Sequence, residues 1–178
     1  YDMLSDRGEL KFVVLTCSPT HQQLLVQFVL RSREAVDRVR SLWKRMGDAE
    51  KQSIAVMSVN IQPVRSSTIT GTEEIPISEP TRLPIRFGDT ELLFGPQSFL
   101  QTNFEIAAAL YAAAGRILQE HAAENVLDLY CGVGAFSLAA CRHARFVFGI
   151  DISRNAIACA TEAAQRNNRH NAQFLCRS

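Results

Sequence analysis

Most features that would assign this 178-residue chain at once are absent. It has no apolar run near the ~20 residues that cross a bilayer. Its opening stretch, YDMLSDRGEL, shows no basic start followed by an apolar block, so no secretory signal is read there. It lacks a charge excess: 19 Lys and Arg against 18 Asp and Glu leave a net +1. No global basic field therefore announces a nucleic-acid partner, although a local patch would still serve one. It lacks any CxxC pair. The 5 cysteines, Cys17, Cys131, Cys141, Cys159 and Cys176, are odd in number and mostly lie in apolar surroundings. A disulfide framework or zinc site is excluded on that pattern, and a reducing cytoplasm fits best, with most thiols acting as small buried hydrophobes. The histidines His21, His121, His143 and His170 have no ligand spacing. An initiating methionine is also missing, and the start at Tyr1 suggests a fragment or processed product.

Periodicity divides the remainder into two parts, about residues 1–94 and 95–178. In the first, KFVVLT and LLVQFVL are β-rich and flank a polar CSPTHQQ turn. Ser32 is a candidate cap for a helix running to about Met46. Val36, Val39, Trp43 and Met46 form its apolar stripe and Gly47 its stop. SIAVMSVNI returns as a strand. Strand, strand, helix, strand is an α+β unit whose helix covers one face of its sheet. From Gln62 to Pro84 the composition reads as loop and edge strand, and LPIRF and TELLF around Gly88-Asp89 as a hairpin.

In the second part, Thr102 and Glu105 have the spacing of a capping box before an alanine-rich helix, Asn103 to His121. NVLDLY reads as a strand buried on both faces of a parallel sheet. A short helix over about Ala135–Cys141, the strand FVFGID, a helix from Ser153 to about Asn168 and the beginning strand AQFLC follow. The fold class is α/β, a Rossmann-like doubly wound sheet cut off partway and preceded by the smaller α+β domain.

The stretch DLYCGVG joins the first of these strands to its helix. Gly132 and Gly134 allow a tight turn and close backbone approach to a ligand. Asp151 ends the next strand, where a carboxylate can accept hydrogen bonds from both hydroxyls of a ribose. This combination points to an adenosine-containing cofactor. A dinucleotide fingerprint starting at Gly132 requires glycine at position 137, which is Ser137, and the loss counts against NAD. The pattern D-x-x-x-G-x-G is similar to the first motif of class I S-adenosylmethionine methyltransferases. That cofactor is cationic at sulfur and carries no phosphate.

The combination of PQSFLQTN, the alanine-rich helix, DLYCGVGAF and GIDIS resembles the RNA uracil-C5 methyltransferases. GELKFVVLT, VQFVLRS and VMSVNIQP extend the resemblance toward the branch that methylates a uridine in 23S ribosomal RNA, over essentially the whole chain. The resemblance implies S-adenosylmethionine as cofactor and RNA, most naturally ribosomal RNA, as partner. It implies that Gln101 reaches the methionine part of the cofactor, that Tyr130 lies beside it, and that Asp151 binds its ribose, with Gly132 and Gly134 forming the turn. It also implies chemistry by a cysteine that adds to uracil C6 and a carboxylate base that removes the C5 proton. In the family both groups lie C-terminal of the cofactor turn, so the nucleophilic Cys and base Glu are expected beyond Ser178 and no catalytic residue is assigned here. The cysteines that hold an iron–sulfur cluster in many relatives would precede Tyr1. The chain alone is accordingly expected to be inactive.

Cys131 lies near a helix N-terminus but under the cofactor rather than under uracil, so it is not assigned as nucleophile. Arg31, Arg33, Arg40, Lys44 and Arg45 around the first helix are candidate phosphate contacts or simply a solvated face, and Trp43 is foremost a core anchor. Two other readings remain open: a class I methyltransferase with a different substrate, and a non-catalytic cofactor- or RNA-binding module.

Overall fold

Alternating β-branched and aromatic residues in the first part do pair as strands. The computed structural model describes residues 1–2, 7–99 and 101–177. The chain divides into two compact units, Tyr1–Leu83 and Pro84–Ser178.

In the first unit, β1 (Leu10–Ser18) and β2 (Gln23–Leu30) are antiparallel, and β2 is parallel to β3 (Ile54–Ile61). The chain crosses from β2 to β3 through α1 (Val36–Arg45) and α2 (Asp48–Ser53), and β4 (Glu73–Pro76) closes the order β1-β2-β3-β4. Leu30, Met57, Val59 and Ile61 from the sheet bury Val36 and Val39 of α1, with Trp43 and Met46 packed at the margin. Each fully buried aliphatic side chain of this kind contributes about 1.5–3 kcal/mol. Trp43 is thus part of the core, as its place in the stripe predicts.

Two local expectations are corrected here. Ser32 does not cap α1: its hydroxyl donates to Glu9 Oε2 at 2.7 Å, its backbone N–H donates to the same oxygen at 3.1 Å, and the helix begins at Val36 with Ala35 as N-cap. A carboxylate distant in sequence captures the group that a local pattern assigns to the helix. Gly47 does not simply end a helix either. It is the N-cap of α2, and the Glu50 side chain reaches back to the Gly47 N–H at 2.7 Å.

In the second unit, β5 (Leu83–Phe87) and β6 (Thr90–Phe94) form a two-stranded sheet across the turn Gly88-Asp89. Then come α3 (Phe104–Glu120), β7 (Asn125–Leu129), α4 (Ala135–Ala140), β8 (Phe146–Asp151), α5 (Arg154–Arg166) and β9 (Ala172–Cys176). Strands β7, β8 and β9 are parallel and adjacent in that order. The helix α3 is capped by Asn103, whose side chain accepts from the Ile106 N–H at 3.0 Å, and not by Thr102. Ser153 caps α5 as expected, accepting from the Ala156 N–H at 3.2 Å.

Helices cover one face of this sheet. Val126 and Val147 pack with Ala140, Cys141 and Leu118, while Ala160 of α5 and Phe174 close around Gly134. The opposite face departs from the expectation of burial on both sides. Leu127 is 60% exposed and Leu129 58%, and no helix covers them among the described residues.

Candidate functional site

Short, tightly packed residues shape the turn between β7 and α4. Tyr130, Gly132 and Gly134 all have positive φ, at 61°, 55° and 81°. The left-handed region costs an ordinary residue roughly 1–2 kcal/mol, so glycine is the natural choice at the latter two positions. Their surroundings differ. A Cβ on Gly132 would meet nothing within 4 Å, whereas one on Gly134 would lie 2.9 Å from Ala160 Cβ and 3.1 Å from the Phe174 ring. Gly134 lets α4, α5 and β9 close together; Gly132 keeps space open above the strand ends. Tyr130 tolerates the same backbone region without being glycine and leaves its side chain 89% exposed. A strained backbone that presents an exposed aromatic is a mark of a functional position.

The parallel register places Asp151 beside the turn. Its Oδ2 accepts from the Gly132 N–H at 2.9 Å, and its Oδ1 accepts from the Ser153 N–H at 2.8 Å. Each carboxylate oxygen keeps a further lone pair for a ligand hydroxyl. The Cys131 N–H donates to the Ile150 carbonyl at 3.0 Å and the Gly134 N–H to the Cys131 carbonyl at 2.9 Å. The N–H groups of Cys131, Gly132 and Gly134 are therefore committed within the protein. A phosphate-binding loop needs such groups free and aimed at the anion, so this turn is built around carboxylates instead.

Asp128 is a second acid beneath it. Burial raises its pKa, hydrogen bonds from Ser137 oppose the rise, and the Asp151 charge adds to it. The Ser137 hydroxyl, fully buried, donates to Asp128 Oδ2 at 2.5 Å. Ser137 occupies the position of the missing third glycine. The sequence pattern marks it only as a departure from a dinucleotide fingerprint, while its bond to Asp128 requires the fold to be seen. Gly149 is another unpredicted member: a Cβ there would stand 2.6 Å from Phe174 and 3.0 Å from Cys131 Sγ.

Burial pushes the Cys131 thiol up to about 12, with the charges of Asp128 and Asp151 adding to the effect. A thiol so held is protonated at neutral pH and is no nucleophile. All 5 cysteines are free: Cys131, Cys141 and Cys159 are buried, Cys176 is intermediate and Cys17 exposed. No group of three or more His, Cys, Asp or Glu suited to a metal ion occurs among the described residues.

The segment FGPQS folds as a small turn: the Ser98 N–H donates to the Gly95 carbonyl at 2.9 Å. A Cβ on Gly95 would come 3.1 Å from Asn155 Nδ2, so this segment lies against the start of α5, next to the end of β8. Leu100, within the quoted PQSFLQTN, lies outside the described residues. Gln101 is exposed and makes no hydrogen bond to Tyr130, Gly132, Gly134 or Asp151 among the described residues. Gly132, Gly134 and Asp151 are thus brought together around one turn with Tyr130 at its rim, and Gln101 is not joined to them. Of the basic residues near α1, Arg31 pairs with Glu9 at 3.3 Å, Arg40 with Asp37 at 3.0 Å and Arg33 with Glu73, leaving Lys44 and Arg45 in the last helical turn.

Comparison with known proteins identifies the family. Residues 80–178, more than half of the chain, match the family profile described as tRNA (Uracil-5-)-methyltransferase. The chain is 41% identical over 174 residues to the 23S rRNA (uracil(747)-C(5))-methyltransferase RlmC of Yersinia pseudotuberculosis (strain IP 31758), and 40% identical to that of Yersinia pestis (strain Pestoides F). Each alignment takes in 98% of this chain and 46% of the relative, so the chain spans just under half the length of these proteins. In fold it is similar to the tRNA (uracil-54, C5)-methyltransferase of Pyrococcus abyssi, solved with S-adenosyl-L-homocysteine. The TM-score is 0.73 at 23% identity, covering 98% of this chain and 41% of that one. A strand-ending acid, a glycine turn closed by a second acid and a profile match across the whole parallel sheet lead to one assignment: the chain belongs to the tRNA (uracil-5-)-methyltransferase family.

Proposed function

We propose that this chain carries the S-adenosylmethionine site of an enzyme that methylates C5 of uracil in RNA, with ribosomal RNA as the substrate and the cytoplasm as its place of action. The observation that carries the reading is the Asp151 carboxylate. It is fixed by the Gly132 and Ser153 N–H groups at 2.9 and 2.8 Å and retains lone pairs for two ribose hydroxyls. The committed turn amides disfavour a pyrophosphate, and two acids, Asp128 and Asp151, favour a ligand with positive charge. The open space above Gly132 and the exposed ring of Tyr130 fit an adenosine and its attached amino-acid arm.

When bound, S-adenosylmethionine supplies an electrophilic methyl group on a sulfonium. Asp151 holds the ribose, Tyr130 covers the cofactor at the rim of the turn, Gln101 reaches its methionine arm, and Ser137 fixes Asp128 beneath. In the reaction implied by the family resemblance, a cysteine thiolate adds to uracil C6, C5 takes the methyl group, and a glutamate removes the C5 proton as the cysteine leaves. Cys131 is unsuited to that role by its raised pKa. We place the nucleophile and base in the part of the relatives that the matched span does not cover.

Isothermal titration calorimetry with S-adenosylhomocysteine and a methyl-transfer assay on 23S rRNA test the proposal. The chain should bind S-adenosylhomocysteine, Asp151→Ala should weaken binding at least about tenfold, equivalent to about 1.4 kcal/mol, and the chain alone should transfer no methyl groups. Preference for NADH over S-adenosylhomocysteine would overturn the cofactor assignment. Turnover by the isolated chain would overturn the placing of the catalytic groups.

A further inference from the structure

A cavity of about 410 Å³ opens within the second unit, between the β5–β6 hairpin, α3 and α4. None of Tyr130, Gly132 or Asp151 lines it. Its size falls in the range of small-molecule sites. Small side chains, Ala112 and Ala139 among them, line it together with Phe87 and Tyr111, whose rings meet edge to face at 5.9 Å between centroids, and the buried Phe87 also stacks on Phe104 at 5.2 Å. The Tyr111 hydroxyl has no hydrogen-bond partner among the described residues.

The rim carries two guanidinium groups. Arg116, Arg142 and His143 line it against one acid, Asp89, which Arg142 already pairs with. Arg116 has no ion-pair partner among the described residues. The His143 ring is held close against α3, since a Cβ on Gly115 would fall 2.8 Å from its Nε2. Apolar and aromatic walls, a free tyrosine hydroxyl and an unneutralised guanidinium suit a flat, hydrogen-bonding body that carries an anionic group. Arginine's planar fork matches phosphate geometry, and aromatic walls take a base by stacking with little regard to sequence.

We infer that this cavity, which Tyr130, Gly132 and Asp151 do not line, is a nucleotide-binding site in which Arg116 holds a phosphate while the Tyr111 ring meets the base. Resting on the RNA reading above, the inference assigns the site to a nucleotide of the RNA other than the one methylated. The same chemistry would also admit a free mononucleotide.

The test uses the 178-residue chain with a fluorescent single-stranded oligoribonucleotide containing 4-thiouridine, and with 4-thio-UMP alone. Photo-crosslinks should map to the peptides carrying Phe87 or Tyr111, and Arg116→Glu should weaken oligonucleotide binding at least about fivefold. The Arg154→Glu variant, altered outside the cavity, controls for overall charge and should change binding less. Arg116→Glu should leave S-adenosylhomocysteine affinity unchanged, and Asp151→Ala should leave oligonucleotide affinity unchanged, so failure of this site and failure of the cofactor reading are separable. Crosslinking by the oligonucleotide alone assigns the site to RNA, and crosslinking by both probes assigns it to nucleotides in general. Crosslinks confined to other peptides, equal effects of Arg116→Glu and Arg154→Glu, or equal displacement by polyglutamate would overturn the inference.

Discussion

Cys131 precedes two turn glycines, Gly132 and Gly134, yet the fold closes over it: the residue is 8% exposed and lies against the Gly149 backbone. Burial raises its pKa from 9.0 to about 12, and burial likewise raises that of Cys141 to about 11. In the unfolded chain both thiols ionise near 9.0, so above that pH the unfolded state holds fewer protons than the folded one. The stability this contributes is complete below pH 9 and is lost as pH climbs toward the folded values. At pH 10 the loss is about 1 kcal/mol per thiol, from the 1.36 kcal/mol that one pKa unit represents. Urea denaturation at pH 8 and pH 10 should therefore show Cys131→Ala losing about 1 kcal/mol less than the unaltered chain over that interval. Equal losses in the two proteins would show that Cys131 ionises normally.

Elements with their own start and stop signals were legible without a structure. Ser153 caps α5, the glycine turn joins β7 to α4, and Gly88-Asp89 joins β5 to β6, because each rests on neighbours in sequence. At the candidate site, the strand-ending acid expected beside the turn does meet it, Asp151 accepting from the Gly132 N–H. What was not legible depended on distant partners. Glu9 takes the Ser32 hydroxyl away from α1, and Asp128 gives Ser137 its role. At α3 the capping-box spacing points to Thr102, but the Asn103 side chain accepts from the Ile106 N–H and caps the helix. Asn103→Ala should consequently lower stability by about 1 kcal/mol in urea denaturation, and Thr102→Ala by less than about 0.5 kcal/mol. The reverse order would return the cap to Thr102.

For the molecule as a whole, the uncovered face of the β7–β8–β9 sheet sets its behaviour in solution. In this parallel register Leu127, Phe148, Leu129, Ile150 and Leu175 point the same way, since side chains alternate along each strand and align across it. Leu127, Leu129 and Leu175 are 60%, 58% and 46% exposed, and the Phe146 and Phe148 rings stand 4.6 Å apart on the same side. Sequence alone predicts burial here, because an apolar strand reads the same whether or not its second face is covered. A contiguous apolar surface of this kind recruits other apolar groups. The 178-residue chain should bind an anilinonaphthalene sulfonate dye and self-associate in sedimentation at micromolar concentrations. Leu127→Lys with Leu175→Lys should remove about half or more of the dye signal and the association. Both positions are exposed, so the melting temperature should fall by no more than a few degrees, as for surface substitutions costing about 0.5 kcal/mol each. Dye binding and association unchanged in the double variant would mean that the exposed surface responsible lies elsewhere.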